Sequence, residues 1–210
     1  MVQFIQNLIG NDALATAIMS FIPLIELKGG IIFARGAGIG AWQSLGLSYL
    51  GSTAAFVPVF FLLLPVLKLL KKLKWFSSFA QKVEGYFADK AAGALEKAEK
   101  SGKKARSETF YKALGTFIFV AIPLPMTGVW TGTAVAVFLG MKFKDAVLPV
   151  MIGNLVAGAI ISVLAEIIVA VWGDLKILDY VLYGLFALAA IMLAIVIIKI
   201  LRKKNTAEEK

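Results

Sequence analysis

The chain has 210 residues, 60% of them apolar, and a mean hydropathy of +0.84. That mixture excludes an ordinary soluble domain and leaves room for about four to six membrane passes. Cys and His are absent, which excludes disulfides, thiolate chemistry, Cys-based metal sites and the commonest general base. Of the residues behind the net charge of +9, twelve Lys/Arg fall in residues 68–112 and five in 199–210, the pattern of cytoplasmic segments rather than of a nucleic-acid-binding surface.

Residues 1–12 open with an amphipathic piece (Val2, Phe4, Ile5, Leu8, Ile9) that lacks the basic start of a cleavable signal peptide. Asn11 or Asp12 is placed to cap the helix that follows. Residues 13–40 are apolar but for Glu26, Lys28 and Arg35, and Pro23 and the Gly29-Gly30 pair interrupt any helix there. Residues 45–67 are uncharged and long enough to span, bent by Pro58 and Pro65. They end at Lys68, Lys71, Lys72 and Lys74, which assigns that end to the cytoplasm. Trp75, Phe76, Phe79, Val83, Tyr86 and Phe87 stand near helical spacing, so 75–87 reads as a helix lying on the cytoplasmic leaflet. Residues 88–108 read as a solvated helix and linker with its flexible point at Ser101-Gly102. A second interrupted stretch occupies 110–140. The span 146–172 follows, carrying Pro149, Gly153, Asn154 and Glu166, and then a turn at 173–179. A last span, 180–198, stops at Lys199 and Arg202, before a frayed tail.

The two interrupted stretches repeat one another. Set one hundred positions apart, Ile22-Pro23-Leu24 aligns with Ile122-Pro123-Leu124, Ala34 with Ala134, and Gly40 with Gly140. After a two-residue slip, Gly51-Ser52 aligns with Gly153-Asn154. Because the segments around Lys112 and Lys142 both carry the cytoplasmic signature, residues 113–141 must leave and return on one side. They are too few for two spans of roughly 20 residues each, so they read as a re-entrant hairpin with its tip at 123–132. Such irregular backbone survives at membrane depth only where protein or water satisfies it. By the same parity, 13–40 is a hairpin entering from outside. The expected fold is therefore an all-α integral membrane protein, an inverted repeat of two re-entrant helical hairpins plus transmembrane helices, with a cytoplasmic amphipathic helical linker. The first repeat covers 1–75, the linker 76–109, the second repeat 110–172, and a C-terminal helix with basic tail 173–210.

Paired interrupted segments in two halves of a membrane protein point to a transport site between them. Glu26 is its first candidate: a carboxylate at that depth costs several kcal/mol unless paired or hydrated, and it is a group that could bind and release a proton. The alternative is a structural pair with Lys28 or Arg35, or a cap after Pro23. Lys28 and Arg35 could hold an anionic group such as a phosphate, aided by helix N-termini, while Arg35 could equally snorkel to the outer interface. Pro123, Pro125, Thr127, Gly128, Trp130, Thr131 and Gly132 form the second tip. There the prolines free carbonyls and the threonines coordinate or cap, against plain packing through Gly128 and Gly132. Asn154 is expected to satisfy freed backbone, and Glu166 to be structural near an interface. The Gly36, Gly38, Gly40 run permits tight helix contact or a homodimer.

At these residues the sequence resembles the small multidrug export protein family, related to the DedA/VTT membrane superfamily. The first family motif, Pro-X-X-Glu-Leu-Arg-Gly-Ala-Ile-Pro, is met by Pro23, Glu26, Leu27, Gly29 and Ile31, with Lys28 in place of Arg and Ile32 in place of Pro. The second, Ile-Pro-Leu-Pro-Gly-Thr-Gly-X-Trp-Thr-Gly, is matched from Ile122 to Gly132 except at Met126, and Gly153-Asn154 follows. The resemblance covers most of 13–172 and implies two opposed re-entrant hairpins. Relatives in the wider superfamily move lipids, including undecaprenyl phosphate and phospholipids. No Arg follows the second tip here, unlike DedA proper.

The expectation that follows is a small secondary-type transporter of the cytoplasmic membrane, possible coupling to protons included, with no cofactor and no metal. Its substrate is an amphiphilic small molecule or a lipid-linked phosphate, its partners are membrane lipids, and the 68–112 loop and C-terminus face the cytoplasm. The alternative is a non-transporting membrane scaffold acting through the basic cytoplasmic helix. An intramembrane enzyme is disfavoured by the lack of a second carboxylate beside Glu26.

Overall fold

The structure, a computed structural model, describes residues 7, 9–70, 108–124 and 127–172, with single positions of the last segment at 180, 184, 187 and 191. The expected surface helix at 75–87, nearly all of the 76–109 linker, Pro125 with Met126, and the last span apart from those single positions lie outside the described residues. Every helix or strand assigned among the described residues is a helix: α1 (Asp12–Phe21), α2 (Glu26–Gly36), α3 (Ala41–Ala54), α4 (Phe56–Leu70), α5 (Glu108–Ala121), α6 (Val129–Phe138) and α7 (Phe143–Trp172).

Asn11 caps α1 as the sequence suggests, its side-chain oxygen accepting the Leu14 N–H at 2.9 Å, with Asp12 in the first turn. The helix stops because Pro23 forces Ile22 into an extended conformation (φ −69°, ψ 134°). Leu24 (φ 74°) and Glu26 (φ 50°) then take the left-handed conformation, which costs a residue with a side chain on the order of 1–3 kcal/mol each. The result is a reversal. In a continuous helix Ser20 and Gly30 would stand about 15 Å apart, whereas here a Cβ on Gly30 would overlap the Ser20 hydroxyl. Thus α2 folds back on α1. In the second half α6 folds back on α5 in the same manner, and a Cβ on Gly132 would overlap Val120.

Residues 41–70 and α7 are the long elements, and Ala41–Val66 and Phe143–Val171 are each long and apolar enough to cross a membrane. The first is interrupted at Ala55, where Pro58 removes the N–H that would meet the Ala54 carbonyl. Both stretches leave large apolar side chains such as Leu50, Phe61, Val163 and Ile167 exposed, a surface suited to lipid rather than water. The two run antiparallel: Gly158 lies against Leu45, Asn154 bonds Ser52, and Phe143 meets Phe60 and Phe61.

Contacts recur between the halves at corresponding positions. Gly51 packs against the backbone of Ala17, so close that a Cβ would overlap its carbonyl, and Gly153 packs against the carbonyl of Phe117 at 2.9 Å from where its Cβ would be. Ser52 and Asn154, aligned with each other in the sequence, hydrogen-bond each other (Asn154 Nδ2 to Ser52 Oγ, 3.1 Å). One core cluster joins α4, α6 and α7 through Phe56, Val59, Phe60, Val129, Ala136 and Val150. It fixes the second broken pair against the first long stretch.

Candidate functional site

The two breaks close on each other. Glu26 opens α2, and its Oε1 accepts the N–H of Trp130 (3.1 Å), the second residue of α6. The first N–H groups of a helix have no partner within it and carry the positive end of its dipole, so Glu26 caps α6 from the other half of the chain. Gly128, at the start of α6, makes room for this, since a Cβ there would overlap the carboxylate. The Thr131 hydroxyl accepts the Gly128 N–H (3.1 Å) and completes that end.

Lys28 serves the opposite need. Pro123 and the turn after it leave carbonyls outside any helix, and the ammonium donates to those of Leu124 (2.6 Å) and Thr127 (2.6 Å) and to the Thr127 hydroxyl (3.2 Å). Three acceptors thus meet the three protons of an ammonium. The Thr127 hydroxyl also donates toward the Ile122 (2.5 Å) and Leu124 (2.8 Å) carbonyls and accepts the Leu124 N–H (3.2 Å), which holds the second break as a tight turn. Trp130 closes the circuit: its indole Nε1 donates to the Phe21 carbonyl at the end of α1 (2.9 Å), and its ring meets Phe21 edge-on at 6.4 Å.

Glu26 and Lys28 are only 3% and 6% exposed. Moving an isolated ion from water into such surroundings costs several kcal/mol, a cost that the hydrogen-bonding groups facing each side chain offset. Chemically, the junction offers one carboxylate able to exchange a proton or pair with a cation, and one ammonium held by neutral oxygens.

The structure brings together Glu26, Lys28, Thr127, Gly128, Trp130 and Thr131, with Pro23 and Pro123 at the breaks that position them. Gly29 and Gly30 are buried in α2 on the way out of the site, Gly30 where the Ser20 and Ser48 hydroxyls crowd in. Arg35 stands apart. Nine residues along α2, about 13 Å, its Nε pairs with Glu166 (2.6 Å) and its Nη1 donates to the Ile39 carbonyl (2.6 Å). Of the pairings considered for Glu26, the one with Arg35 is thus taken by Glu166 instead. Asn154 bonds the Ser52 side chain rather than loose backbone. Sequence reasoning missed Phe21 and Leu124, which take part through main-chain carbonyls that leave no mark in a side-chain pattern.

The family model described as "Putative small multi-drug export protein" matches residues 26–160. That range begins at the buried carboxylate and takes in both partners of the junction. No curated protein matches the chain, and no solved structure matches it.

Proposed function

The chain belongs to the putative small multi-drug export protein family, and on that premise we propose that it is a secondary transporter whose working site is the junction of its two broken helices. The observation that carries this reading is the burial of Glu26 and Lys28 where both breaks meet, since ionisable groups in membrane segments mark ion and substrate pathways. Glu26 takes up and releases the proton that couples transport. Lys28 and the Thr127–Thr131 turn line the path, and the cargo is an amphiphilic small molecule or a lipid-linked phosphate.

In this reading α1–α2 and α5–α6 are re-entrant hairpins entering the membrane from opposite faces, as an inverted repeat. Support comes from their lengths: α1 and α6 have 10 residues each, about 15 Å, half of a hydrocarbon core of about 30 Å. It comes also from the antiparallel course of the two long stretches and from the pairing of Ser52 with its sequence counterpart Asn154. The 68–112 loop and the C-terminus then face the cytoplasm.

Glu26→Gln keeps an acceptor for the Trp130 N–H and removes the titratable proton. In proteoliposomes, with efflux of an amphiphilic dye and scrambling of a lipid phosphate followed in parallel under an imposed pH gradient, the variant loses gradient-driven movement of whichever cargo the wild type carries. Gradient-driven transport at the wild-type rate by Glu26→Gln would overturn the assignment.

A further inference from the structure

A second site lies away from the junction, at the other end of the crossing between α3 and α7. There, among the described residues, a half-open groove of about 360 Å³ is walled by Ala41, Trp42, Leu45 and Val163 and bounded by Ser162 and Glu166. Its walls are apolar. Ser162 keeps a buried hydroxyl with no partner among the described residues. The Glu166 side chain is 45% exposed, while its partner Arg35 is 13% exposed. The charge the groove presents to a visitor is thus a carboxylate, with the exposed indole of Trp42 beside it.

The other half of the chain shows what this crossing looks like when it is only packing. Carried through by the two-residue slip that sets Ser52 against Asn154, Ala41 corresponds to Phe143, Ser162 to Phe60, Val163 to Phe61 and Glu166 to Leu64. Those counterparts fill their crossing: Phe143 stacks on Phe61 at 5.5 Å and meets Phe60 edge-on at 5.3 Å, with Leu64 packed against the same cluster. One crossing is plugged by three rings. At the other, two of the same three positions hold smaller apolar residues and the third a hydroxyl, and a carboxylate stands in place of leucine.

From this difference we infer that the α3–α7 groove is a binding site for a lipophilic cation, its apolar body against Trp42, Leu45 and Val163 and its positive charge at Glu166. Aromatic faces and a carboxylate both attract a cation, and both act more strongly where water is scarce. A neutral acyl chain would be served as well by apolar walls alone and gives no reason for the unpartnered Ser162 hydroxyl or for the part of Glu166 left exposed beside its pair with Arg35. As an account of cargo entry it rests on the transporter reading; as a binding site it does not.

The test uses the full chain in lipid nanodiscs and two probes of one shape and opposite sign, tetraphenylphosphonium and tetraphenylborate. The phosphonium is expected to bind saturably above empty nanodiscs, and the borate not. Ala41→Phe, which installs the ring found at the corresponding position and leaves Arg35 and Glu166 in place, weakens phosphonium binding roughly tenfold or more, and Glu166→Gln does the same. Equal binding of the two probes, or phosphonium binding untouched by Ala41→Phe in a variant that elutes as the wild type does, overturns the proposal and leaves lipid chains as the occupant. Binding is read at equilibrium, without a gradient. A chain that binds phosphonium yet moves nothing in proteoliposomes keeps the groove and loses the transport reading. One that transports while Ala41→Phe binds unchanged does the reverse.

Discussion

Lys28→Met removes the ammonium and keeps most of the side-chain volume. The Thr127 carbonyl loses its 2.6 Å donor, which costs about 1–3 kcal/mol for a group left without a partner. The Leu124 carbonyl keeps the Thr127 N–H (3.3 Å) and hydroxyl (2.8 Å) and adds little. Glu26, only 3% exposed, is left without its compensating cation, a loss of about 3–5 kcal/mol for a buried charge. The sum is roughly 4–8 kcal/mol, comparable with the whole stability of a small domain at about 5–15 kcal/mol. The charge share has a signature of its own. Adding Glu26→Gln to Lys28→Met neutralises the stranded carboxylate, so the double variant is more stable than Lys28→Met alone by about 3 kcal/mol or more. Lys28→Arg, which keeps the charge and offers five donors, stays within about 2 kcal/mol of wild type. Equilibrium unfolding of the purified proteins in mixed micelles, followed by helical circular dichroism, measures the wild type, both single variants of the cycle, the double variant and Lys28→Arg. A Lys28→Met variant within about 1 kcal/mol of wild type, or strictly additive single variants, would refute the account of the junction.

Gly30→Ala places a methyl group on the Ser20 hydroxyl and 2.9 Å from that of Ser48. It should destabilise by about 1–3 kcal/mol, in part restored by Ser20→Ala, as read by the same unfolding titration. Trp130→Phe keeps the ring contact with Phe21 but loses the 2.9 Å bond from the indole to the Phe21 carbonyl, a cost of about 1 kcal/mol. Because that bond ties the end of α1 to α6, amide hydrogen exchange at Ile22 and Glu26, whose N–H groups bond the Met19 and Ile22 carbonyls, should rise in the variant. Unchanged exchange there would show that the breaks are held by other means.

The helix breaks were legible because proline and glycine act locally: Pro23 removes an N–H and restrains its predecessor wherever the chain goes next. The repeat was read from Ile-Pro-Leu at 22–24 and 122–124 and from the later Gly-Ser and Gly-Asn pairs, and two of its aligned positions, Ser52 and Asn154, hydrogen-bond each other. What lay beyond the sequence was mutual. That Glu26 caps α6, and that Lys28 gives its hydrogen bonds to the Leu124 and Thr127 oxygens while acting on Glu26 only through space, depends on how one half sits on the other. A carbonyl oxygen is the same atom at every position, so nothing marked Phe21 or Leu124. Arg35 and Glu166 were each visible as charges in apolar surroundings, but their pairing required knowing that α2 and α7 run side by side. The interruption at Ala55 was foreshadowed by Pro58, expected to bend the span and found to divide it into α3 and α4.

The interlocking of the breaks bears on how the protein is made. Glu26 and Lys28 leave the ribosome about a hundred residues ahead of Leu124, Thr127 and Trp130, an interval of about 5–20 s at ordinary elongation rates of about 5–20 residues per second. Throughout that interval the newly made first half holds a carboxylate, an ammonium and open helix ends with nothing to answer them. On the transporter reading proposed above, that half would settle in the membrane only when the later half arrives, and a chain stopped short of residue 108 is expected to be handed to quality control rather than retained in the bilayer.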